Sequence, residues 1–90
     1  MVVKVRFEGP VKDVSRTGGG DIELKGENVG QLIEVLASKY GPRFKEFLID
    51  DETGEYKEGI LILSEGKRMD RESVLRDGQE LVFIPAIAGG

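Results

Sequence analysis

Two four-residue runs, Ile60-Leu61-Ile62-Leu63 and Leu81-Val82-Phe83-Ile84, are apolar at every position. Successive side chains of a strand point to opposite faces, so a sheet with one solvated face should be polar at every second residue. These two runs break that rule and offer apolar side chains to both faces. A chain of 90 residues has room for one core, and one helix can cover only one face of a sheet. Half of the apolar residues in the runs are therefore exposed or covered by a partner, and an exposed apolar patch on a small acidic protein marks an interaction site. The competing arrangement has Phe44, Phe47 and the loops wrapping round to cover the second face, or the protein dimerising on it.

The remaining elements follow from periodicity. Val2–Glu8 alternates, with Val3, Val5 and Phe7 on one face, which predicts a half-buried strand ended by Gly9-Pro10. A loop is expected from there to Gly18-Gly19-Gly20, a stretch that lacks the Lys-Ser/Thr of a phosphate-binding loop and reads as flexible linker. Asp21–Lys25 alternates again and can pair back antiparallel. Asn28 with Gln31 three residues later predicts a capping box. Val29, Leu32, Ile33, Leu36, Ala37 and Tyr40 then form one helical face that Gly41-Pro42 stops. Phe44, Phe47 and Leu48 read as a short turn folding onto the same core, and the acidic stretch Asp50 to Glu58 as an exposed turn. After the third strand come a tight turn at Glu65-Gly66, a short return through Lys67-Arg68-Met69, and one helical turn capped by Asp70 through Val74 and Leu75. Asp77-Gly78 then turns the chain into the last strand, Gln79 to Ile84. Pro85 has no N–H to donate and ends that ladder. The expected organisation is one α+β domain over residues 1–84 and a flexible tail over residues 85–90.

Composition narrows the function. The chain has no cysteine and no histidine, which excludes a thiol nucleophile, a disulfide framework, a thiolate metal site and the commonest general base. Asp50, Asp51 and Glu52 cluster without the ligand spacing of a calcium loop, so no metal site is expected. A formal net charge of −4 lacks the basic footprint of a nucleic-acid binder, although Lys67, Arg68, Arg71 and Arg76 form a mildly basic segment that could orient a partner. No apolar run approaches the ~20 residues that span a bilayer, and a cytoplasmic protein is expected.

The ending Ala88-Gly89-Gly90 is chemically pointed. Two terminal glycines can be drawn extended through a narrow channel, leaving the Gly90 α-carboxylate as their one functional group. A carboxylate becomes an acyl donor only once activated, for instance as a mixed anhydride with AMP. The segment from Leu75-Arg76-Asp77-Gly78-Gln79-Glu80-Leu81 through Pro85-Ala86-Ile87-Ala88-Gly89-Gly90 resembles the end of the small subunit of molybdopterin synthase, a ubiquitin-like sulfur-carrier family. Glu65-Gly66-Lys67-Arg68 sits where that family carries an Asn-Gly-Lys turn, and Asn28-Val29-Gly30-Gln31-Leu32 resembles its helix start. Gln79 for Asp, Ala86 for a second Pro and Glu65 for Asn are departures from its pattern.

The resemblance implies a β-grasp fold, with a mixed four- to five-stranded sheet and one main helix across one face. It also implies a cycle. A ubiquitin-activating-type enzyme uses ATP to adenylate Gly90, and a sulfur donor converts the adenylate to a thiocarboxylate. Ala88 and Gly89 then carry the end into the synthase large subunit, where sulfur passes to a cyclic pyranopterin during molybdenum or tungsten cofactor biosynthesis. On this likeness the chain binds no cofactor itself. Leu63, Val82 and Ile84, with Leu61, would form an outward docking patch that Pro85 and Ile87 extend, while Ile62, Leu81 and Phe83 face the helix. An archaeal ubiquitin-like modifier, with Gly90 joined to target lysines, needs the same activated glycine and is the alternative.

Overall fold

The computed structural model describes residues 1–50, 52–54, 57 and 60–85. Strand β1 (Val2–Phe7) buries Val3, Val5 and Phe7 and exposes the residues between them, as its alternation predicts. The expected loop after it contains a helix, α1 (Pro10–Ser15). Pro10 stands in its first turn, where a fixed φ and a missing N–H cost nothing. Val11 is fully buried, and the Ser15 hydroxyl donates to the carbonyls of Lys12 (3.2 Å) and Thr17 (2.9 Å). One short apolar turn is too brief for periodicity to reveal, so packing rather than pattern makes this helix.

The triple glycine is not a linker either. Strand β2 (Gly19–Glu23) begins inside it and pairs antiparallel with β1, Val5 opposite Gly20 and Val3 opposite Ile22. Gly19 has φ 115°, and a Cβ there would overlap the Val5 carbonyl oxygen. Glycine is required at this point by a close backbone approach.

Helix α2 (Val29–Tyr40) carries the expected capping box: Gln31 N–H donates to Asn28 Oδ1 (2.9 Å), and Gln31 Oε1 accepts from the Asn28 N–H (3.2 Å). Its Val29, Leu32, Ile33 and Leu36 are buried. Gly41, at φ 100° and ψ 170°, redirects the chain into α3 (Pro42–Leu48), a full helix where only a turn was expected. Phe44 and Leu48 are buried, and Phe47 is half-buried. The rings of Phe44, Tyr40 and Phe83 meet Phe7 edge-on at centroid distances of 5.3, 5.6 and 5.4 Å. Phe44 and Phe47 thus belong to the helical side of the sheet and do not wrap onto the other face.

Strands β3 (Ile60–Ser64) and β4 (Lys67–Arg68) form a hairpin turned by Glu65 and Gly66, both at positive φ. The helical turn expected after Asp70 is absent. Instead Val74 bridges Asn28, Val29 N–H donates to the Ser73 carbonyl, and Leu75 N–H donates to that of Glu27. Those cross-chain bonds hold residues 73–75 extended, bury Leu75 and leave Val74 72% exposed.

Strand β5 (Glu80–Pro85) completes a five-stranded sheet in the order β2-β1-β5-β3-β4. It runs parallel to β1 and antiparallel to β3, so the last strand in sequence is the central one in space. The buried positions of β1, β3 and β5 all face the helices. The architecture is α+β, with α2 as the main helix and α1 and α3 beside it. Among the described residues, no helix is long and apolar enough to cross a membrane.

Candidate docking face and tail exit

The two fully apolar strands are neighbours. Ile62, Leu81 and Phe83 are 0% exposed and form the floor of the core. The alternate residues Leu61, Leu63, Val82 and Ile84 point to the face without helices and are half-buried. Leu61 stands opposite Ile84, and Leu63 opposite Val82, so the four make one compact apolar rectangle. Neighbours across a sheet shield one another, which is why four unpartnered aliphatic side chains remain only half exposed.

Arginines bracket this rectangle. Val82 has Arg6 beside it on β1, and Leu63 has Arg68 beside it on β4, giving the row Arg6, Val82, Leu63, Arg68. Arg6 meets Glu8 at 3.3 Å, with both side chains at least half exposed, and such a surface pair holds its partners weakly. The basic segment read from the sequence is not one patch. Arg76 pairs with Glu65, and Arg71 donates to the Gly54 carbonyl on the helical side. Of this segment, Arg68 borders the sheet face beside Leu63 and Arg76 lines a hollow with Leu63 and Val82, while Lys67 stands opposite Ser64, which is buried on the helical side.

Two polar residues with no signal in the sequence fasten the start of β5. Gln79 is 8% exposed and Ser64 4% exposed. Gln79 Nε2 donates to Ser64 Oγ (2.9 Å), Ser64 Oγ donates to the Glu80 carbonyl (2.7 Å), and Gln79 Oε1 accepts from Arg76 N–H (3.0 Å). The departure at Gln79 is therefore a structural tie between β3 and β5. Gln79→Ala would leave Ser64 and the Arg76 N–H short of a partner, a cost of about 1–3 kcal/mol. Thermal unfolding should register it as a Tm lowered by roughly 5–15 °C.

The central strand also sets where the chain end leaves the domain. Pro85 stands opposite Ile60 at the start of β3, and Phe83 beside Phe7 at the end of β1. Residues 86–90, which hold the expected site residues Ile87, Ala88, Gly89 and Gly90, lie outside the described residues. They follow directly from the strand that carries Val82 and Ile84.

A mixed five-stranded sheet with helices on one face and its last strand at the centre is the β-grasp of ubiquitin-like proteins. The sequence model of the ThiS family matches residues 6–90, and the chain belongs to that family of ubiquitin-like sulfur carriers. A protein of Archaeoglobus fulgidus assigned as a sulfur carrier is 30% identical over the full length of both chains. Among solved structures, the small archaeal modifier protein SAMP1 of Haloferax volcanii has a TM-score of 0.84 at 20% identity and covers all of both chains. A Pyrococcus furiosus protein assigned as molybdopterin converting factor subunit 1 has a TM-score of 0.78 at 24% identity, covering 97% of this chain and 99% of its own.

Proposed function

We propose that this sulfur carrier is the small subunit of a molybdopterin synthase and that the Gly90 carboxylate is its reactive group. The carrying observation is the likeness of the final sixteen residues to that subunit, in a chain whose central strand delivers them from the apolar rectangle. An activating enzyme of ubiquitin type would dock on Leu61, Leu63, Val82 and Ile84, with Pro85 and Ile87 continuing the contact. The carboxylate oxygen attacks the α-phosphorus of ATP and pyrophosphate leaves. Sulfide-level sulfur from a donor then attacks the Gly90 acyl carbon, the bond to AMP breaks, and AMP leaves to give the thiocarboxylate. Ala88, Gly89 and Gly90 have little bulk, so the activated end can thread into the large subunit and give its sulfur to a cyclic pyranopterin. Arg6 and Arg68 favour partners whose rim is acidic around an apolar centre.

The likeness to SAMP1 favours a second reading, in which the activated Gly90 is joined to lysines of target proteins. Both begin with the same adenylate and differ in the acceptor. Intact mass of the protein isolated from its own cells is expected to show one oxygen exchanged for sulfur. Isopeptide-linked ladders in place of that exchange would transfer the assignment to protein modification.

A further inference from the structure

The helical side of the molecule carries a feature that the docking face does not use. A groove of about 850 Å³ runs between α1, the end of α2 and α3. Val14, Tyr40 and Phe47 give it half-buried apolar lining. Arg16, Arg43 and Lys57 also line it and are exposed. None of these three cations has an ion-pair partner among the described residues. Asp13 and Glu46 lie in the same groove, so its lining among the described residues carries an excess of one positive charge. The Tyr40 hydroxyl makes no hydrogen bond within the described residues, and burial raises its pKa above the ordinary tyrosine value.

We propose that this groove receives the chain's own C-terminal segment, residues 86–90, with Ile87 against Tyr40 and Phe47 and the Gly90 carboxylate among Arg16, Arg43 and Lys57. The inference rests on the reading of Gly90 as the free reactive end. The walls of the groove start on either side of the tail exit. On one side Glu8 N–H donates to the Phe83 carbonyl (3.0 Å), and α1 begins two residues later. On the other, Ile60 stands opposite Pro85, and its N–H donates to the carbonyl of Lys57 (3.1 Å). Five extended residues reach about 17 Å, and Lys57 lies one hydrogen bond from Ile60, the residue opposite Pro85. Alternating small and aliphatic residues ending in a carboxylate match an apolar lining with surplus cations.

A docked tail holds its acyl end away from water and stray nucleophiles. A partner on the opposite face must then draw the tail out before chemistry can begin. Its apparent affinity for the tail falls in proportion to the undocked fraction.

The test uses the full chain, with the Ile87 methyl groups isotopically labelled and no partner enzyme present. Nuclear Overhauser effects from Ile87 to the Tyr40 and Phe47 rings are expected, unchanged on tenfold dilution. They should weaken in the Arg16→Glu/Arg43→Glu variant, while Phe7–Phe83 effects persist and report an intact core. Absence of the Ile87 effects in the parent chain overturns the proposal. So does their appearance only between differently labelled copies, which would make the occupant a second molecule's tail. Sulfur loading in cells without these effects sinks docking alone. Docking without any activation of Gly90 sinks the functional reading instead.

Discussion

Deleting Gly90 is expected to reduce thiocarboxylate formation at least about 100-fold, to background, while Tm stays within about 3 °C of the parent chain. The first half follows from geometry. The shortened chain still ends in a glycine carboxylate, so its intrinsic chemistry is unchanged, but the reactive carbon is recessed by about 3.5 Å. Misplacing reacting atoms by only about 1 Å can cost a hundredfold in rate. The second half follows from position. Among the described residues the core lies between Val3 and Phe83, and changes outside a core usually alter stability by about 0.5 kcal/mol or less. Mass spectrometry after incubation with the activating enzyme, ATP and a sulfur donor reads the loading, and thermal unfolding reads the fold. Loading of the shortened chain at the parent rate would remove Gly90 from the mechanism, and a collapsed Tm would make the tail part of the core.

The legible parts of this fold are those where one local rule acts alone. Val3, Val5 and Phe7 declare a strand by period two, Asn28 and Gln31 declare a helix start by their spacing, and both features stand as read. The surplus of apolar residues at 60–63 and 81–84 identified two strands and their two-sided character. It could not say that these strands are adjacent, which is what turns scattered side chains into one rectangle. Elsewhere, tertiary contacts decided. Gly19 reads as linker until the Val5 carbonyl is seen beside it. Residues 73–75 read as part of a capped helical turn until Asn28 and Glu27 take their backbone groups into a bridge. Gln79 and the groove cations are polar residues in polar surroundings, and nothing local distinguishes them from ordinary surface. The expected tail residues are identified by chemical type and family likeness alone.

The period-two reading of β5 has its sharpest test in adjacent residues. Phe83→Ala should lower stability by about 3–5 kcal/mol, the usual cost of emptying a buried phenylalanine site. Phe83 is 0% exposed, and its ring meets Phe7 at 5.4 Å and Phe44 at 6.5 Å, so no neighbour can relax into the space without losing its own contacts. A domain of this size has a total stability of roughly 5–13 kcal/mol. The variant should therefore melt more than about 15 °C lower, or fail to fold. Ile84→Asp, one residue on, should behave oppositely. Its side chain lies on the helix-free face opposite Leu61, where an unfavourable strand residue costs about 1 kcal/mol and Tm should fall by less than about 8 °C. Binding to the activating enzyme should weaken at least about thirtyfold, the effect of losing roughly 2 kcal/mol at the centre of an interface. Calorimetric unfolding and titration of the two variants separate these outcomes. A large stability loss at Ile84 would place it in a covered interior, and unaltered binding would show that partners approach by another surface. The same central strand would then no longer join the core to the docking face, and the apolar residues at 61, 63, 82 and 84 would need a different occupant.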